Sequence, residues 1–140
     1  SDAIFLYCHL RHTAPRRIVE VGSGFSSAVM LDTAERFLPC KPQITFVVTS
    51  CGRFDLLAQT LDSFLRFNRA PIARYALVED SGDEAVRDVV AEAGPSFDVL
   101  VNKERLGQLR SIDRAYETVT TPYIFHCEDD WRFLRGGRPI

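Results

Sequence analysis

The run Tyr123-Ile124-Phe125-His126-Cys127-Glu128-Asp129-Asp130-Trp131 carries an apolar, β-prone stretch straight into three consecutive acids. Adjacent carboxylates repel one another at short range, and a nearby cation offsets that repulsion. Hard divalent cations such as Mg²⁺ and Mn²⁺ take oxygen ligands, often one or two carboxylates together with substrate phosphates. The triplet therefore points to a metal–phosphate site at the carboxyl end of a strand. A solvated acidic turn is the plainer alternative, since charge runs commonly form solvated faces.

Three further segments have residue types suited to the same ligand. Thr49-Ser50-Cys51-Gly52-Arg53 follows an apolar strand and opens a helix. A strand-to-helix turn of small residues offers backbone N–H groups and a positive dipole end to an anion. Arg53 would add a charge-assisted contact to phosphate, and an ordinary helix cap is the competing reading. Val78-Glu79-Asp80-Ser81-Gly82 places acids at a strand end, where they accept from ribose hydroxyls or a base edge, or else cap the next helix. Asn102 through Asp113 sets Lys103, Arg105 and Arg110 around Gly107 at a helix start, suited to a diphosphate or sugar, or to a solvated helix face.

The elements needed to position these segments alternate. A helix is expected over about 2–13, a strand over 17–21, a Gly22-Ser23-Gly24 turn, and a helix to about 38 broken by Pro39 and Pro42. Strands at 44–49, 74–79, 97–101 and 122–127 then alternate with helices at 54–67, 83–93 and 107–119. Leu57, Leu61, Phe64 and Leu65 give the helix at 54–67 an apolar face. Near-continuous apolar strands fit burial on both faces. The pattern predicts a three-layer, Rossmann-like α/β fold, a mostly parallel sheet with helices on both faces. Ligands of such sheets bind outside the carboxyl ends of the strands, where all four segments fall.

Bulk properties narrow the classes. At 140 residues the length suits one domain, and 46% hydrophobic with 26% charged residues is a globular composition that can bury a core. A net charge of −2 gives no electrostatic footprint for nucleic acid. Cys8, Cys40, Cys51 and Cys127 form no C-x-x-C pair or zinc spacing, so they read as thiols of a reducing compartment. No apolar run is long enough for a transmembrane segment, and the apolar start lacks a basic leader region. A cytoplasmic location is expected.

Ile44 through Arg53, with Leu57 and Thr60-Leu61-Asp62-Ser63-Phe64, resembles the first strand and helix of a GT-A glycosyltransferase, family 2-like. Glu79-Asp80-Ser81 resembles that family's second nucleotide-binding strand end, and Asn102 with Leu106-Gly107-Gln108 its asparagine and glycine loop. Tyr123 through Trp131 resembles the strand with the DxD motif, written here Glu128-Asp129-Asp130. Order and spacing agree over about 44–134. The resemblance implies a nucleotide-sugar donor and a divalent cation, Mn²⁺ or Mg²⁺, with the acceptor unknown. Thr49, Ser50, Gly52, Arg53, Glu79, Asp80, Asn102, Gly107 and Asp129 would line the donor site, with Glu79 or Asp80 on base or ribose. Asp130 and Glu128 would be the metal ligands. Glu128 stands where the family usually has Asp, which lengthens its reach. The family's inverting members carry a catalytic base well downstream of this motif. The chain is therefore expected to be a donor-binding half, truncated before the acceptor region and incomplete as a catalyst.

Arg17 through Ser27 resembles motif I of class I S-adenosylmethionine-dependent methyltransferases, with Glu20, Gly22 and Gly24 in the acid-x-Gly-x-Gly pattern. Ser26 stands at the third glycine position, and the next strand ends Thr49-Ser50 without the acid that would hold a ribose. S-adenosylmethionine is therefore not the expected ligand, and the loop reads as vestigial. The expected organisation is a methyltransferase-like segment over 1–40 joined to a glycosyltransferase-like half over 41–140, through natural fusion, gene breakage or assembly of a chimera. A methyltransferase fragment and an inactive or structural α/β domain are the alternative functions.

Overall fold

The structure, a computed structural model, describes residues 2–15, 18–19, 29–30, 32–33, 36–37, 43–68 and 70–134. Its elements are α1 (Asp2–Thr13), β1 (Ile18–Val19), β2 (Ile44–Ser50), α2 (Phe54–Phe67), β3 (Ile72–Glu79), α3 (Val86–Ala93), β4 (Phe97–Val101), α4 (Gln108–Glu117) and β5 (Tyr123–Glu128). All strand pairings are parallel, in the order β1-β5-β2-β3-β4.

β2 is buried at all seven positions. It pairs with β3 from Ile44↔Ile72 to Ser50↔Glu79 and with β5 from Ile44↔Tyr123 to Thr49↔Glu128. A strand flanked on both sides and covered on both faces has no use for polar alternation, which explains its Ile-Thr-Phe-Val-Val sequence. On one face Phe46, Val48, Leu77 and Cys127 pack with Leu57, Leu61 and Phe64 of α2 and Val86 and Val90 of α3. The Phe46 and Phe64 rings stack 3.8 Å apart between centroids. On the other face Val47, Ala76 and Val78 pack on Ala115 of α4.

Most elements lie within a residue or two of expectation. α3 starts at Val86 rather than 83, because Ser81 Oγ accepts from Asp83 N–H and Asp83 Oδ1 from Ala85 N–H. Those side-chain turns replace the first helical turn. β3 begins two residues early at Ile72, against Ile44. β1 joins the same sheet beside β5, through Ile18↔Tyr123 and Val19↔Ile124. Residues 29–30, 32–33 and 36–37 are helical. The rest of the expected second helix, the strand residues flanking β1 and the join near 39–42 lie outside the described residues. Among the described residues no helix is long and apolar enough to cross a membrane.

Candidate functional site

The chain runs outward from β2 to β3 and β4, then returns past β2 to insert β5 on its other side. The direction of winding reverses between β2 and β5. In open parallel sheets that reversal opens a crevice at the carboxyl ends of the two strands. Here it holds a cleft of about 190 Å³ whose floor includes Thr49, Ser50 and Cys51. Arg53, Glu128 and Asp129 stand on one side, and Asp80, Arg105, Gly107, Gln108 and Ser111 on the side of α4. The structure thus gathers Thr49, Ser50, Arg53, Asp80, Gly107, Glu128 and Asp129 around one opening. Gly52, Glu79, Asn102 and Asp130 do not line it. Glu20, Gly22 and Gly24 lie outside the described residues.

The turn between β2 and α2 differs from expectation. Its N–H groups are not all open to an anion: Cys51 N–H donates to Asp129 Oδ2 at 3.3 Å and Gly52 N–H to Glu79 Oε1 at 2.9 Å. Glu79, completely buried, also accepts from Ser81 N–H at 2.7 Å. It therefore ties two turns together and does not line the cleft. Gly52 has φ +70°, and a Cβ there would sit 3.4 Å from Ser81 Cβ, so the residue is suited to this close approach of turns.

Arg53 also departs from expectation. Its guanidinium is committed to acids of its own chain: Nη2 and Nε bond Asp129, and Nη1 bonds Asp130 Oδ2 at 2.9 Å. The bond to Asp129, with its charge, and then Asp130 hold the guanidinium protonated more firmly than usual. Asp129 is buried at 1% exposure. The Asp129 carbonyl accepts from the Thr60 hydroxyl at 2.8 Å, which also donates to the Trp131 carbonyl at 2.7 Å. Ser63 Oγ accepts from Phe133 N–H. Thr60 and Ser63, two of the three polar positions of the Thr60–Phe64 motif, thus clamp the segment after β5 along α2.

Asp80 organises the opposite wall. Its carboxylate accepts from Asn102 Nδ2, Leu106 N–H and Gly107 N–H at 2.7, 2.8 and 2.9 Å. Burial raises its pKa, but these bonds and Ser111 outweigh that and leave it below the ordinary value. Asn102, also fully buried, donates to Ser111 Oγ and accepts from Arg114. Asp80 lines the cleft while its carboxylate holds the 102–107 loop in place. Gly107, at φ +83°, turns that loop into α4.

Glu128 accepts from Gln108 Nε2 at 2.7 Å. Beneath it, His126 lies between Thr49 Oγ1 and Tyr116 Oη, each 3.1 Å from a ring nitrogen. Burial lowers the His126 pKa. It is a satisfied histidine. Burial and then the nearby Asp129 and Glu128 charges push the Cys127 thiol upward, so it is inert packing rather than a nucleophile.

The acids fit a hard cation by type, since carboxylate oxygens are the usual Mg²⁺ and Mn²⁺ donors. As arranged, Asp129 and Asp130 are bridged by Arg53, and Glu128 is bonded to Gln108. Among the described residues no group of three His, Cys, Asp or Glu side chains converges on one metal position. A cation would need exposed oxygens of Glu128 and Asp130 plus its ligand's own oxygens. Gln108, Ser111 and Cys51 line the cleft without having been assigned a site role, and Arg105, one of the basic residues noted around Gly107, lines it too. For Gln108 and Ser111 the signal was present, as both follow Gly107 within one helical turn. A larger groove of about 530 Å³ lies between α2 and α3, with Asp62, Arg66 and Glu92 among its lining residues. It lies away from the strand ends.

Fold and cleft together define a Rossmann-like, three-layer α/β domain. Mannosyltransferase PcManGT from Pyrobaculum calidifontis, solved in complex with GDP-Man and Mn²⁺, shares this fold at a TM-score of 0.56 and 14% identity. The match covers 92% of this chain and 36% of that one. An uncharacterised protein of Archaeoglobus fulgidus is 39% identical over 46 residues, 33% of this chain and 21% of its own length. The chain therefore spans only a minor part of either protein. No family model matches it.

Proposed function

We propose that this chain binds a nucleotide-sugar donor for glycosyl transfer, with a divalent cation at Glu128 and Asp130. The observation that carries the reading is the cleft at the β2/β5 reversal, where Thr49, Arg53, Gly107 and Glu128 converge from separate elements. The fold neighbour's complex with GDP-Man and Mn²⁺ supports it.

On this reading the floor at Thr49 and Ser50 takes the nucleoside. The start of α4 directs its positive dipole end, with Arg105, toward the diphosphate. Asp80 and Asn102 hold that wall in position. A bound cation would supply Lewis-acid neutralisation of the diphosphate as it leaves. No residue of the chain is assigned to the acceptor or to a general base.

The test is calorimetric titration with a nucleoside diphosphate, with and without Mn²⁺, and with S-adenosylmethionine in parallel. Mn²⁺-dependent diphosphate binding that Asp130→Asn abolishes is the expected result. Unchanged Mn²⁺-dependent affinity in that variant sinks the metal assignment. Binding of S-adenosylmethionine alone moves the function to Glu20–Gly24.

A further inference from the structure

Asp129 and Asp130 already share a cation of their own. The Arg53 guanidinium spans both carboxylates, and the two halves of that fork differ in strength. On one side Asp129 is buried at 1% exposure, anchored by Cys51 N–H and by Thr60 on its carbonyl. On the other, the Arg53 and Asp130 side chains are 46% and 41% exposed. Water screens an exposed pair and leaves it weak, whereas a buried carboxylate holds its partner. The fork is therefore fixed at Asp129 and releasable at Asp130.

We propose that Arg53 is an internal counter-ion that competes with the divalent cation for Asp130, so that metal uptake requires the guanidinium to let go of that carboxylate. This rests on the metal-dependent donor reading above. In the ligand-free chain the guanidinium offsets the repulsion within the acidic triplet. When a cation takes Asp130, Arg53 stays hinged on Asp129. Its freed Nη1 then serves the cleft it already lines, where a diphosphate carries opposite charge. One positioning residue thus serves the empty and the loaded site, and metal affinity before the diphosphate arrives is held low.

The experiment titrates Mn²⁺ alone. Its readouts are paramagnetic quenching of Trp131, the only tryptophan and the neighbour of Asp130, and the electron paramagnetic resonance signal of free Mn²⁺. Removing a unit positive charge a few ångströms from the site makes Arg53→Gln bind Mn²⁺ tighter, on the order of tenfold. Arg53→Lys keeps the charge but cannot span two carboxylates, and is expected to bind roughly threefold tighter. Adding Asp130→Asn to Arg53→Gln returns binding to the weak level. Circular dichroism checks folding, and where the Gln variant unfolds, the Lys variant decides alone. Unchanged or weaker Mn²⁺ affinity in the folded variants overturns the competition and leaves the metal site standing. Absence of Mn²⁺ binding in every protein, wild type included, overturns both.

Discussion

The two faces of the sheet are built from different chemistry. Under α2 and α3 lies a slab of Phe46, Val48, Leu57, Leu61, Phe64 and Leu77, tightened by rings at Phe125 and Phe133. Under α4 the apolar cluster is small. Toward the strand ends it gives way to Asp80, Asn102, Ser111, Thr49 and His126, each hydrogen-bonded to another element or to the loop before α4. Apolar packing is non-directional and rewards volume, whereas hydrogen bonds fix angles and positions. The first face gives cohesion. The second sets where loops stand, and the cleft opens on that side.

Truncation in the slab should have the largest effect. Phe46→Ala removes a fully buried ring stacked on Phe64 and is expected to cost about 3–5 kcal/mol in urea unfolding. A loss under 1 kcal/mol would mean that this face is not the principal core. Asp80→Asn presents an amide donor where Leu106 and Gly107 N–H already donate, with an expected cost of about 1–3 kcal/mol. It should also weaken nucleoside diphosphate binding through the loosened loop. A folded Asp80 pKa below the unfolded one means that its stabilisation is present above the unfolded value. That contribution is lost as pH falls through the lowered folded value. Unfolding midpoints measured between pH 5 and pH 2 should therefore fall less steeply in the Asn variant.

The smallest effect concerns His126. Its lowered pKa means that the unfolded chain takes up a proton first. Wild-type stability should begin to decline as pH drops through about 6.5, the ordinary histidine value, and continue through the folded value. His126→Gln should flatten that decline, and an identical pH profile in both proteins would place the acid sensitivity elsewhere.

Much of the fold was legible because local patterns decide it. Ile44–Ser50 reads as a doubly covered strand from its β-branched run, and Leu57, Leu61 and Phe64 mark the face of α2. The parallel sheet follows from alternation alone. The site was legible as a set of positions, the strand ends, but not as a set of contacts. Gly52 N–H is filled by Glu79 and Cys51 N–H by Asp129, carboxylates 27 and 78 residues away in sequence. No periodicity reports such long-range partners. Arg53 illustrates the same point: its type suits a phosphate, but the sequence does not say that the two acids just after β5 arrive at the same place.

The insertion of β5 between β1 and β2 also governs the order in which the molecule can assemble. As the chain leaves the ribosome, β2, β3 and β4 can pair in succession, with α2 and α3 closing over them. Among the described residues, one edge of β2 stays open until Tyr123–Glu128 emerges, and β1 has no strand neighbour until then. An apolar strand with an unpaired edge is a template for intermolecular pairing. The late, long-range closure is also the slow kind. Among the described strands the acidic end of β5 is therefore the last to lock, and the cleft does not exist before it does.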